Sequence, residues 1–138
     1  MPVNTAPKLK QFARRLLDYE AARGKSANAQ EAAALRVCEK LRGPLGKLIG
    51  GGGFRSLLSR ALVLAGAEVP WLHGLQLQAD GSLKGLKEAE EKLDQPAITE
   101  GEVVLVSHLL GLLETFIGQA LTSNLLRDIW PELEELNF

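Results

Sequence analysis

Four consecutive glycines at residues 50–53 are the feature of this sequence most able to bind a ligand. They precede an apolar pattern typical of a helix over residues 54–66. Backbone N–H groups at a helix N-terminus, helped by the helix dipole, can hold an anion. The sequence lacks the Gly-x-Gly-x-x-Gly and Lys-Ser/Thr signatures of phosphate loops, so a flexible hinge between two helical hairpins is the competing interpretation. The candidate anion-binding residues are Gly51, Gly52, Gly53, Lys47, Arg55 and Arg60.

A line of small residues is the second candidate for a functional site. Such residues allow close packing and carry no catalytic groups. It lies on the predicted C-terminal helix, opposite the apolar half. Glycine inside a helix costs about 1 kcal/mol against alanine. Two glycines on one line therefore favour close approach by another helix or a ligand, although a surface helix with tolerated glycines is an alternative. After Thr122 the apolar residues change sides and could contact a partner. The candidate interface residues are Ser107, Gly111, Gly118, Thr122, Leu125, Leu126, Ile129 and Trp130.

The sequence shows no arrangement of side chains typical of a catalytic or metal site. No spacing joins the two histidines, His73 and His108, into such a site. Glu114 lies six residues from His108, not at the three or four that make helix neighbours. The lone Cys38 excludes an internal disulfide, and we expect it to be a small core residue. We therefore expect a non-enzymatic protein with no metal and no cofactor.

Charge is divided unevenly between the two halves of the chain, although the net charge is −1. Residues 1–60 carry 12 Lys or Arg against 4 Asp or Glu, a net +8, and residues 61–138 carry 4 against 13, a net −9. Such a division can indicate contact with nucleic acid or a membrane. Nucleic-acid binding is not expected, because aromatic residues for stacking on bases do not interleave with the basic ones. The two halves can instead neutralise each other, within one chain or between two copies.

The sequence favours a water-soluble, cytoplasmic protein. Residues 1–10 lack the apolar core of a signal peptide. In the C-terminal helix, Glu114 splits the apolar run. The longer piece, residues 103–113, is far shorter than the roughly 20 residues that a bilayer requires. We therefore expect no membrane span.

The elements that would position these residues are mainly helical. Apolar residues at helical spacing predict helices over residues 8–23, 29–42, 54–66, 86–93 and 102–130. Thr99 and Glu102 match a capping box at the start of the last helix. We expect a break at residues 43–44, where Pro44 suits a new first turn. After Thr122, either the helix bends near residues 123–124 or its last turns meet a different neighbour. Alternating leucines around Asp80-Gly81 predict a β-hairpin over residues 75–85.

The predicted fold is a single all-α domain of about five helices packed around the long C-terminal helix, with the small hairpin beside them. Residues 1–7 are predicted to be a flexible lead and residues 132–138 an acidic tail. The expected function is a helical module for protein–protein interaction or oligomerisation, whose partner is a second copy or another protein. The alternative is a helical pocket for an anionic small molecule or nucleotide near residues 50–53.

Overall fold

The computed structural model describes residues 7–26 and 32–133, and this part of the chain forms a helical bundle with one small hairpin. The elements follow in the order α1 (Pro7–Ser26), α2 (Ala33–Glu68), a 3₁₀ helix (Pro70–Gly74), β1 (Gln76–Leu77), β2 (Leu83–Lys84), α3 (Leu86–Lys92), α4 (Gln95–Ile117) and α5 (Gln119–Ile129). The predicted fold class is confirmed. The predicted flexible lead (1–7) and acidic tail (132–138) fall mostly outside the described residues.

Helix α4 is the centre of the bundle and packs against α1, α2 and α5. Every residue from 101 to 110 is buried, including polar ones on the half of the helix that the sequence predicts to be exposed. That prediction is wrong for these turns because neighbours enclose the helix on several sides. Trp71 of the 3₁₀ helix lies against Gly101, and Leu9 of α1 lies against Gly111.

Helix α4 begins earlier than the sequence pattern indicates. Its N-cap is Asp94, whose Oδ1 accepts a hydrogen bond from the Ala97 N–H at 3.0 Å, and Pro96 lies in the first turn. Both residue types are typical of helix starts. The predicted capping box of Thr99 and Glu102 is therefore wrong. Both residues lie inside the helix, and Glu102 is buried.

Two glycines break the long helical runs. The break at Gly50 lies in the glycine run that the sequence offers as a hinge, whereas the break at Gly118 is not predicted. Helix α2 continues through Pro44 and is interrupted at Gly50, with φ 84° and ψ 157°. Gly118 separates α4 from α5 with nearly the same conformation, φ 93° and ψ 158°. Only glycine adopts this region readily, because it has no Cβ. The predicted break at residues 43–44 and the bend near residues 123–124 are wrong.

The hairpin lies against the first half of α2. Gln76 pairs with Lys84 in an antiparallel register, and the turn between the strands contains Gly81 at φ 90°. Arg42 of α2 donates from Nη1 to the main-chain oxygen of Asp80 at 2.9 Å. This contact fixes the hairpin to the bundle, which a two-stranded ribbon needs for stability.

A buried carboxylate joins the two ends of the described chain. Glu20 of α1 accepts hydrogen bonds from Trp130 Nε1 at 2.7 Å, Lys40 Nζ at 2.6 Å and Arg36 Nε at 3.1 Å. Burial alone would raise the pKa of Glu20, but the hydrogen bonds from Lys40 and Trp130 and the charge of Lys40 outweigh it and hold that pKa below its ordinary value. The cluster anchors the residue after α5 on α1 and α2.

Candidate functional site

An open groove of about 680 Å³ runs between the second half of α2 and the hairpin. Its helical wall is one face of α2, because the lining residues recur at intervals of three and four. They are Gly52, Arg55, Ser56, Ser59, Arg60 and Val63. The opposite wall belongs to the hairpin, through Leu77, Gln78 and Ala79. A volume of this size suits a small organic ligand.

Helical periodicity explains why this face is open. The apolar residues Phe54, Leu58, Ala61 and Ala65 lie on the other side of the same helix and are fully buried in the core. Burying that side leaves the Arg and Ser side chains in solvent. The groove is therefore built on a rigid helix whose orientation is fixed by the core.

The groove contains two cations and a helix N-terminus. The Nη2 atom of Arg55 lies 3.8 Å from the position that a Cβ on Gly52 would occupy, so the guanidinium turns back toward the start of the segment that follows Gly50. The first turn of that segment is the positive end of a helix dipole. Among the residues that the structure describes, neither Arg55 nor Arg60 forms an ion pair with a carboxylate. Without such a carboxylate partner, their positive charge is available to attract an anion in the groove.

The six predicted anion-binding residues are only partly brought together. Gly52, Arg55 and Arg60 line the groove. Gly51 and Gly53 belong to the same first turn without lining the groove, and Lys47 lies before the break and outside it. The sequence analysis missed Ser56, Ser59, Val63 and the hairpin wall. The signal for the helical residues was present, since they follow Gly52 at helical spacing.

The predicted interface residues are largely covered by the chain itself. Ser107, Thr122, Leu126 and Trp130 are buried, so they belong to the core and not to an open surface. Helices α1 and α2 pack against α4, and α2 also contacts α5. That these residues contact a partner stays a prediction. A Cβ on Gly111 would lie 3.5 Å from Leu9 Cδ1, so this glycine faces α1.

The remaining interface candidates lie around the break between α4 and α5. Gly118 is exposed, and Leu125 and Ile129 are half-buried. Two large apolar side chains that the prediction left out flank the break. Phe116 is 63% exposed and Leu121 is 44% exposed. These two residues are called the α4–α5 patch below.

A buried histidine forms a second polar cluster. His108 of α4 lies with its Nε2 2.5 Å from Glu68 Oε2, and Lys10 Nζ is 3.9 Å from the other oxygen of Glu68. His73 packs against Gly66 instead. In the part of the chain that the structure describes, no group of three or more His, Cys, Asp or Glu side chains could hold a metal ion. The His108 cluster joins the end of α2 to α1 and α4.

The interior of α4 also contains an unusual carboxyl group. Burial, with a smaller contribution from the charge of Glu90, raises the pKa of Glu102 to about 7. Burial raises the pKa of the nearby Cys38 thiol to about 12, which keeps it protonated and unreactive. Neither residue lines the groove, so we assign them to the core.

Two described helices, α2 and α4, have the length and apolar composition of a membrane span. Most of the qualifying window of α4 is buried inside the bundle, as expected for its central helix, whereas 22% of the window of α2 is buried. The core helices of water-soluble proteins pass the same test. The absence of a membrane span stays a prediction.

Comparison of the chain with models of known families, with curated proteins and with solved structures gives no match. The proposals that follow accordingly rest on the contacts, charges and burial of this chain's own residues.

Proposed function

We propose that the groove between α2 and the hairpin binds an anionic small molecule, with a phosphate-like group held by Arg55 and Arg60. The observation that carries the proposal is the position of Arg55. Its guanidinium lies over the first turn of a helix segment, where the dipole already disfavours a cation. A bound anion there would be attracted by the guanidinium and by the positive end of the helix dipole.

The groove supplies the donors that such an anion requires. Arginine presents its N–H groups as a fork that matches the oxygens of phosphate or carboxylate. Ser56 and Ser59 place hydroxyl groups between the two arginines along the same face. These groups stand on a helix anchored by the core, so little has to be ordered on binding.

Titration calorimetry with inorganic phosphate, sulfate and a nucleoside monophosphate tests the proposal. Arg55→Ala and Arg60→Ala are each expected to weaken phosphate binding about tenfold, the lower end of what a charge-assisted hydrogen bond contributes, because the groove is open. Arg14→Ala is the matched control, since Arg14 is an exposed arginine on α1 outside the groove. Binding should also weaken with added salt. Equal affinities for wild type and both groove variants, or no binding of any anion, would contradict the proposal.

A second candidate function is association with another protein molecule through the α4–α5 patch. The observation that favours it is the exposure of Phe116 and Leu121, since large exposed apolar side chains are common in contact surfaces. A second copy is the partner that the opposite charges of the two halves of the chain would suit best.

Light scattering coupled to size exclusion tests association. If the patch is the interface, wild type is expected to be a dimer, and Phe116→Ser and Leu121→Ser should shift it to monomer. Leu48→Ser removes an equally exposed leucine from α2 and should leave the mass unchanged. A monomeric wild type at every concentration would exclude self-association by this route.

A further inference from the structure

The two ends of the groove differ in chemistry. Toward the start of the helical wall stand the arginines and serines, and at its far end stands Val63, one turn beyond Arg60. Leu77 of the hairpin also lines the groove, while the hairpin tip at Gly81 lies beside Phe54, at the cationic end. From Gly52 to Val63 the helical wall rises roughly 16 Å at about 1.5 Å per residue. A ligand lying along the groove would therefore meet a cationic surface first and an apolar one second.

The apolar end of the groove depends on the exposed side chain of Val63. Val63 is 62% exposed, the largest exposed fraction among the exposed large apolar side chains of α2, where Leu48 is 47% exposed. A single exposed apolar side chain needs no explanation on its own. Here it completes the same helical face as Arg55 and Arg60, and a different element contributes apolar side chains to the same cavity.

We propose that the ligand is a small anionic amphiphile, with its phosphate or carboxylate at Arg55 and Arg60 and its apolar part along Val63 and Leu77. The inference rests on the anion-binding function proposed above and specifies the class of ligand. The groove is open on one side and cannot enclose a long acyl chain, so a short apolar segment fits best. A membrane lipid could present the same head group, and the experiment separates these two sources.

Titration calorimetry with a ladder of alkyl phosphates, from methyl to hexyl, tests the inference. The alkyl phosphates are measured as monomers in solution, beside inorganic phosphate. Complete burial of one methylene corresponds to about a fourfold gain in affinity. The groove is open on one side, so we expect about twofold for each added carbon in the wild type. Val63→Asn should flatten this gain without changing affinity for inorganic phosphate. Arg60→Ala should weaken every member of the ladder by the same factor.

Leu48→Asn is the control for a polar substitution on the exposed surface of α2, and it should leave the ladder unchanged. Circular dichroism of each variant confirms that it is folded. Affinity independent of chain length, with phosphate still bound, would overturn the amphiphile and leave the anion site intact. Loss of phosphate binding along with all alkyl phosphates would overturn the proposed function itself. Binding to phosphatidylcholine vesicles containing phosphatidic acid, without binding to the soluble ladder, would replace the small amphiphile with a membrane surface.

Discussion

Replacing Glu20 by glutamine is expected to lower the free energy of unfolding by about 3 kcal/mol. The Glu20 carboxylate is fully buried, and its three donors are Arg36, Lys40 and Trp130. Glutamine keeps one acceptor oxygen but turns an NH₂ group toward these donors. Removing one partner of a buried ion pair typically costs about 3–5 kcal/mol. The lower end applies because the Lys40 side chain is 35% exposed and can regain solvent.

Urea unfolding followed by far-ultraviolet circular dichroism measures this loss. Glu39→Gln is the control, because Glu39 pairs with Arg42 at 2.7 Å while both side chains are well exposed. A surface pair of this kind contributes less than about 1 kcal/mol. If the two variants lose the same stability, the Glu20 cluster does not anchor the bundle and the reasoning is refuted.

The pH dependence provides an independent check on Glu20. Its pKa in the folded state lies below the ordinary value, because the hydrogen bonds from Lys40 and Trp130 outweigh the effect of burial. The stabilisation is therefore complete above the ordinary pKa of a glutamate and is lost as pH falls through the folded-state value. The gap between wild type and Glu20→Gln should narrow in acid. A gap that stays constant would show that the charge of Glu20 contributes nothing.

Three further substitutions test the interior of α4. Glu102 has its pKa raised to about 7 in the folded state, so wild-type stability should fall as pH rises from the ordinary glutamate value toward 7. Glu102→Gln should remove this fall and be more stable at pH 8 by up to about 3 kcal/mol, measured by urea unfolding. Gly101→Ala should destabilise, because its Cβ would lie 2.3 Å from Trp71 Cζ2. Gly111→Ala meets an ordinary contact and should stabilise by up to about 1 kcal/mol in thermal unfolding.

The sequence was sufficient for the elements whose signals are local. The hairpin follows from Asp80-Gly81 between alternating leucines, and α3 follows from its short amphipathic run. The start of α4 also has a local signal, which is Asp94 followed by Pro96. Thr99 is a second residue of the type that caps helices, and the sequence pattern favours it wrongly. Two plausible caps five residues apart cannot be ranked by propensity alone.

The burial of α4 could not be predicted from its own residues. Helical periodicity separates polar from apolar positions, and it places Ser107 and His108 outside. In the structure His108 is covered and meets Glu68, forty residues earlier in the chain. Such a partner is supplied by tertiary packing, which no window of local sequence contains. For the same reason, the sequence could not show whether the small-residue line meets another helix of the same chain, a partner or a ligand.

Only the helical wall of the groove could be predicted, because it is the only wall that is continuous in sequence. The cations beside the glycine run were recognised, and Ser56, Ser59 and Val63 extend the same face at helical spacing. The hairpin wall depends on the contact between Arg42 and Asp80, 38 residues apart. The position of the helix break could not be predicted from the sequence either, because a run of four glycines allows a positive φ at any of its residues.

Gly50 and Gly118 together test whether the break in α2 builds the groove. Both adopt a positive φ with extended ψ, and a Cβ at either position would meet no atom within 4 Å. Alanine at either position therefore strains the backbone alone, by about 1–3 kcal/mol, and the two variants should lose similar stability. Only Gly50 sets where the first turn lies relative to Arg55. Gly50→Ala should thus weaken phosphate binding under conditions where both variants are folded, while Gly118→Ala should not. Equal phosphate affinity in the two variants would show that the cations act without the helix start.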